Sequence, residues 1–115
     1  MPRRALALSL ALFALAGCSS PASLADIPGA CDLPQNAWIS DTEGLTVVTE
    51  GVTPTSEEQV QCILDEAGTS QELQNSIWVN AGPYPRSREA ETEEGLRYSW
   101  AWKSETSLHL MVEPE

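Results

Sequence analysis

The stretch "LRYSWAWK", residues 96–103, alternates without a break. Leu96, Tyr98, Trp100 and Trp102 fall on one parity, and Arg97, Ser99, Ala101 and Lys103 on the other. Successive side chains of a strand point to opposite faces. The pattern therefore predicts a strand that turns its aromatics into a core. "SLHLMVE", residues 107–113, repeats it with Leu108, Leu110 and Val112 on one face, and "SETS" supplies the turn between the two. Upstream, "SREAET", residues 87–92, reads as an edge strand with exposed charges, turned by Glu93-Glu94-Gly95. Glu89, Glu91 and Glu93 read as a solvated strand face. A sheet with one apolar face has to bury it against a second layer.

Helices supply that layer. In "TSEEQVQCILDEAG", residues 55–68, Ser56 and Gln59 have capping-box spacing. Val60, Ile63, Leu64 and Ala67 form an i, i+3, i+4, i+7 stripe, and Gly68 is a natural stop. "TSQELQNSIWVNAG", residues 69–82, reads as a second helix capped by Thr69 with Glu72, with a strand over Ile77–Val79 as the rival. "GPYPRS" then forces an extended loop, because each proline fixes φ and removes a donor. Ahead of the helices, Leu45–Glu50 is rich in β-branched residues, and Trp38-Ile39 pairs with it across Asp41–Gly44. The sum is an α+β fold, β-α-α-β-β-β: an antiparallel sheet of three to four strands with two helices packed on one face. Its helix-helix-three-strand order is similar to small lipoproteins of outer-membrane assembly and to β-lactamase-inhibitor-like domains. Fold order gives no function.

The N-terminus fixes a different property. Arg3 and Arg4 precede an apolar run from Ala5 to Ala16, interrupted only by Ser9. The run is shorter than the ~20 residues of a permanent membrane helix and fits a secretory leader. Leu15-Ala16-Gly17-Cys18 resembles a lipobox, which makes residues 1–17 a lipoprotein signal peptide and Cys18 the acylated residue. One acyl chain binds a membrane marginally, whereas two or three make a durable anchor. Residues 18–30, which include "SSPASLADIPGA", read as a flexible tether. Residues 31–115 then form a single small domain. Its two cysteines, Cys31 and Cys62, read as a disulfide, because an exported chain meets oxidising conditions.

The leader holds two of the six basic residues and none of the seventeen acidic ones. Four cations against seventeen anions disfavour phosphate contacts, so nucleic acid is excluded as a partner. Acidity also keeps an anchored domain soluble. No catalytic set stands out. His109 is the only histidine, and its strand position turns it to solvent or a sheet edge. No zinc or calcium spacing is present, and no G-x-S-x-G elbow or Gly-rich phosphate loop. No metal and no cofactor are expected. The chain has one Phe but four Trp, so tryptophan fills much of the core. Trp is also enriched at binding hot spots. Trp38, beside the tether, and Trp78 and Tyr84, near the proline loop, are the candidate binding anchors.

From Leu45 to Val112 the chain resembles a family of small actinobacterial exported proteins and lipoproteins with no established activity. The matching segments are "LTVVTEG", "VQCIL" and "WAW" followed by Leu108. Where that family often carries "YHPDxGL", this chain reads "WKSETSL". The resemblance implies export and a compact domain and lends no catalytic residue. The expected function is that of a non-enzymatic lipoprotein, anchored through lipidated Cys18 to the outer face of the cell membrane, or to an outer membrane if the host has one. Its partner is a protein or envelope component of unknown identity. The alternatives are a protective or structural surface lipoprotein, including a phage-carried exclusion type, and a small hydrolase using paired carboxylates.

Overall fold

The computed structural model describes residues 23–51 and 54–115. The leader, Cys18 and the start of the expected tether lie outside them. A 3-10 turn, Leu24–Asp26, leads into α1 (Ile27–Ala30). Then come β1 (Trp38–Ile39), β2 (Gly44–Val48), α2 (Glu57–Glu66), α3 (Gln71–Trp78), β3 (Glu89–Glu93), β4 (Leu96–Ser104) and β5 (Ser107–Pro114). The five strands form one antiparallel sheet in the order β1-β2-β5-β4-β3. The fold is α+β, with one strand and one short helix more than the sequence pattern counts.

Register explains the core. Tyr98, Trp100 and Trp102 stand opposite Val112, Leu110 and Leu108, while Leu45 and Val47 stand opposite Val112 and Leu110. Directly opposed residues share a face, so these side chains form continuous apolar rows, and all of them are buried. Val60, Ile63, Leu64 and Ala67 of the α2 stripe, with Leu73 and Ile77 of α3, complete the same cluster. Burying each large side chain contributes about 1.5–3 kcal/mol. Directional bonds fix the layers. The Trp102 indole Nε1 donates to the Ile77 carbonyl at 2.9 Å, and the hydroxyls of Thr69 and Tyr98 are bonded at 2.8 Å.

Local signals hold where no tertiary partner competes. The Ser56–Gln59 capping box forms, at 3.1 Å and 2.8 Å. Glu94 and Gly95 both take positive φ, 53° and 82°, as a two-residue hairpin turn requires. At α3 the expected cap is displaced by one residue. Ser70, not Thr69, accepts from the Leu73 amide, at 3.1 Å. Thr69 is buried against Tyr98, and Glu93 of β3 accepts from both the Ser70 amide and the Ser70 hydroxyl, at 2.6 Å and 2.8 Å. Glu93 is therefore a clasp between sheet and helix, not part of a fully solvated face.

Two further expectations are corrected. The tether does not run to Ala30. Leu24 and Ile27, three residues apart, are 8% and 0% exposed and belong to the core. Pro28 sits in the first turn of α1, where a missing N–H costs no helical bond. Alternation in β4 also does not extend to burial, since Ser99 and Ala101 are buried too. They are small side chains on an inner strand, overtopped by larger neighbours.

Cys31, at the end of α1, is joined to Cys62 of α2 by a disulfide with a Cα–Cα distance of 5.8 Å. Closing a loop of this length removes unfolded-state entropy worth about 3 kcal/mol. Replacing both cysteines by serine should lower unfolding free energy by that amount in urea titration, with little change in far-ultraviolet dichroism. Gly44 tests the sheet. A Cβ there would lie 2.7 Å from the Val112 carbonyl oxygen and 2.8 Å from the Glu113 Cβ. Gly44→Ala should therefore destabilise the domain by about 1–3 kcal/mol through overpacking, read by the same titration.

Candidate functional site

The three candidate aromatics do not meet. Trp78 is half-buried, and its Nε1 donates to Gln61 Oε1 at 3.0 Å. Its ring lies 6.3 Å from that of Trp102, tilted by 49°. Gln61 also donates to Gln74, which donates to the Thr69 carbonyl. Trp78 thus ends a polar chain that runs through α2 and α3. Its exposed edge borders a shallow hollow with Glu57, Glu58 and Gln61. Trp38 is half-buried in β1 and borders a separate hollow with Leu24, Leu96 and Pro114. The Tyr84 hydroxyl is held by the side chain of Asn80. Each aromatic is partly committed to packing, and the hollows described at Trp78 and Trp38 each border only one of them.

A different surface stands out. Among the described residues, helices cover one face of the sheet and leave the other face open. It carries Thr46 and Val48 of β2, His109, Met111 and Glu113 of β5, Arg97, Ser99, Ala101 and Lys103 of β4, and Ala90 and Thr92 of β3. Register fixes this set: Val48 and Ala101 flank His109, Thr46 and Ser99 flank Met111, and Arg97 stands opposite both Glu113 and Thr92. Arg88, one residue ahead of β3, joins the face, with its guanidinium 3.4 Å from the Ser99 hydroxyl.

Charge on this face is inverted relative to the rest. Arg88, Arg97 and Lys103 are three of the four cations outside the leader, and Glu113 is the one acid among the strand residues of the face. Among the described residues one ion pair forms, Arg86 to Glu89 at 3.7 Å. Arg88, Arg97 and Lys103 are exposed and take no part in it. Beyond Val48 the face ends in a concave hollow of about 220 Å³ bordered by Pro34, Ile39, Thr46, Val48 and Thr55. Ile39 is 37% exposed there, unusual for a large apolar residue in this domain.

His109 sits in the middle of the face, half-buried, and not at an edge. Burial pushes its imidazole below the ordinary value, and Lys103 and Arg88 push it further down. The sequence carried a signal for this surface. The parity that buries the aromatics of β4 also assigns Arg97 and Lys103 to the opposite face. Pairing with His109 and Met111 could not be read without the register.

Among the described residues, no group of three or more His, Cys, Asp or Glu could hold a metal ion. No helix among them is long and apolar enough to cross a membrane. The chain matches no protein-family model, no curated protein and no solved structure.

A depressed native pKa means that the unfolded chain binds the His109 proton more readily. The contribution of His109 to stability is complete above the ordinary value of 6.5 and declines as pH falls below it. Titration followed by the imidazole NMR signals should place the native midpoint below 6.5. The pair Arg88→Gln and Lys103→Gln should raise that midpoint without restoring it fully, since burial remains.

Proposed function

We propose that the chain is an extracytoplasmic lipoprotein, anchored through acylated Cys18, that acts as a non-enzymatic binding module. The observation that carries the binding half is the sheet face left uncovered by the described helices, which bears three of the domain's few cations, Arg88, Arg97 and Lys103, along β3 and β4 and a hollow at its β2 end. A surface with only a protective role needs no such sorting of charge, and an evenly acidic exterior would keep it soluble equally well. A hydrolytic reading needs two facing carboxylates in a cleft. Glu57 and Glu58, which share the hollow at Trp78, are sequence neighbours and both exposed. The anchor half rests on the leader and its Leu15-Ala16-Gly17-Cys18 motif. The resemblance to small exported lipoproteins agrees with it.

Both halves have a direct test. The wild type should fractionate with membranes and incorporate labelled palmitate, whereas Cys18→Ala should lose the label and the membrane association. A photo-crosslinking amino acid at Thr46, on the open face, should trap a partner in intact cells, and one at Glu72, on α3, should not. Equal trapping from both positions, or from neither, would shift the reading to a protective surface protein.

A further inference from the structure

The open sheet face has two unlike ends, and together they describe a ligand. At the β2 end, Pro34, Ile39 and Val48, with Asn36, Thr46 and Thr55, border a concave, partly apolar hollow. On the β3–β4 side stand Arg88 and Lys103, exposed and without an ion-pair partner among the described residues, while Arg97 lies at the far end of β4 opposite Glu113. Between them Thr46, His109 and Met111 are the partly exposed residues, standing over the buried Ser99 and Ala101. Neighbouring strands lie ~4.8 Å apart, so the step from β2 to β3 is about 14 Å. An extended peptide of about five residues spans that distance.

We infer that this face binds an acidic, extended segment of a partner protein, laid across the strands with an apolar side chain in the Ile39–Val48 hollow and carboxylates against Arg88 and Lys103. The inference rests on the reading of the sheet face as a binding surface and adds the partner's chemistry. Charge complementarity sets the sign of the ligand. An arginine fork and a lysine suit carboxylates. The concave end favours a peptide over a membrane. A hollow accepts one inserted side chain, whereas a bilayer presents a broad anionic plane to a domain that is itself strongly acidic. Specificity follows from the same layout, because a basic segment would meet two cations and gain nothing.

His109 lies in the path of the segment. Its imidazole faces Lys103 and Ala101 from β4, Arg88 from the approach to β3, Val48 from β2, and Met111 on its own strand, with Glu113 further along. Bringing carboxylates onto this surface offsets the repulsion from Lys103 and Arg88. Binding should therefore tighten as pH falls through the range in which His109 takes up its proton.

The test uses the full-length protein in neutral detergent and a fluorescein-labelled peptide of about seven residues, a leucine followed by glutamates alternating with glycines. Anisotropy should report binding that weakens with added salt, since exposed charges are screened within about 8 Å at physiological ionic strength. Arg88→Gln with Lys103→Gln should weaken it about tenfold. Gln71→Glu with Asn75→Glu, which changes net charge equally on exposed positions of α3, should leave it unchanged. Equal loss in both double variants would overturn the site, leaving only a net-charge effect. Failure of the glutamate peptide to bind at low salt would overturn the acidic-segment ligand, while trapping from Thr46 would still uphold a binding module. Stronger association with phosphatidylglycerol vesicles than with the peptide would overturn it in favour of a membrane surface. A lysine version of the peptide binding as well as the glutamate one would overturn it too.

Discussion

The burial of Tyr98, Trp100 and Trp102 beneath α2 and α3 constrains nearly everything else in the molecule. Three large aromatics in consecutive inward positions of one strand demand a thick apolar layer above them. That layer is made by the stripe of α2, by Leu73 and Ile77 of α3, and by Leu24 and Ile27. The polar atoms on the aromatics then dictate the details. Trp102 bonds to the C-terminal end of α3 and Tyr98 bonds to Thr69 just before its start. The helix is pinned to the strand at both ends. A buried indole N–H or phenol without a partner is costly, so these two bonds set where α3 begins and stops over β4. Burial raises the Tyr98 pKa, and Glu93 adds to the rise.

The disulfide acts on the same layer from its outer side. A small domain buries a limited fraction of its surface, and α1 is only four residues long. Tying Cys31 to α2 holds Leu24 and Ile27 against the core, which a helix of that length could not secure alone. Gln59 reinforces the join, because its amide donates to the Asp32 carbonyl at 2.7 Å while its oxygen completes the cap of α2.

Among the described residues, packing the helices on one face leaves the other without cover. In an acidic chain the natural consequence would be an acidic open face, yet three of the few cations collect there. Their placement follows from parity. Arg97 and Lys103 occupy the β4 positions that alternate with the aromatics, and Arg88 stands next to Glu89 on the opposite parity of its strand. Repulsion among them is tolerated because each side chain is exposed and screened. Burial, Lys103 and Arg88 push the half-buried His109 imidazole below its ordinary value.

The sequence by itself determined the strands of the C-terminal third, both long helices and the pairing of Cys31 with Cys62. Those features rest on side-chain periods, caps and turn residues that act within a few positions of one another. It also carries the lipobox-like motif Leu15-Ala16-Gly17-Cys18 on which the proposed anchor rests. Tertiary structure decided the rest. Thr69 lost the cap of α3 to Ser70 because Tyr98 claimed its hydroxyl and Glu93 reached in from β3, two partners distant in sequence. Leu24 and Ile27 left the expected tether because a core already built by other segments had room for them. Trp38, Trp78 and Tyr84 were visible as aromatics but not as members of three separate packing sites. The open face needed most of all the register of β2, β5, β4 and β3, which brings Val48, His109, Ala101 and Arg88 into one row. Periodicity assigns a residue to a face, and only strand pairing says which residues of that face are neighbours.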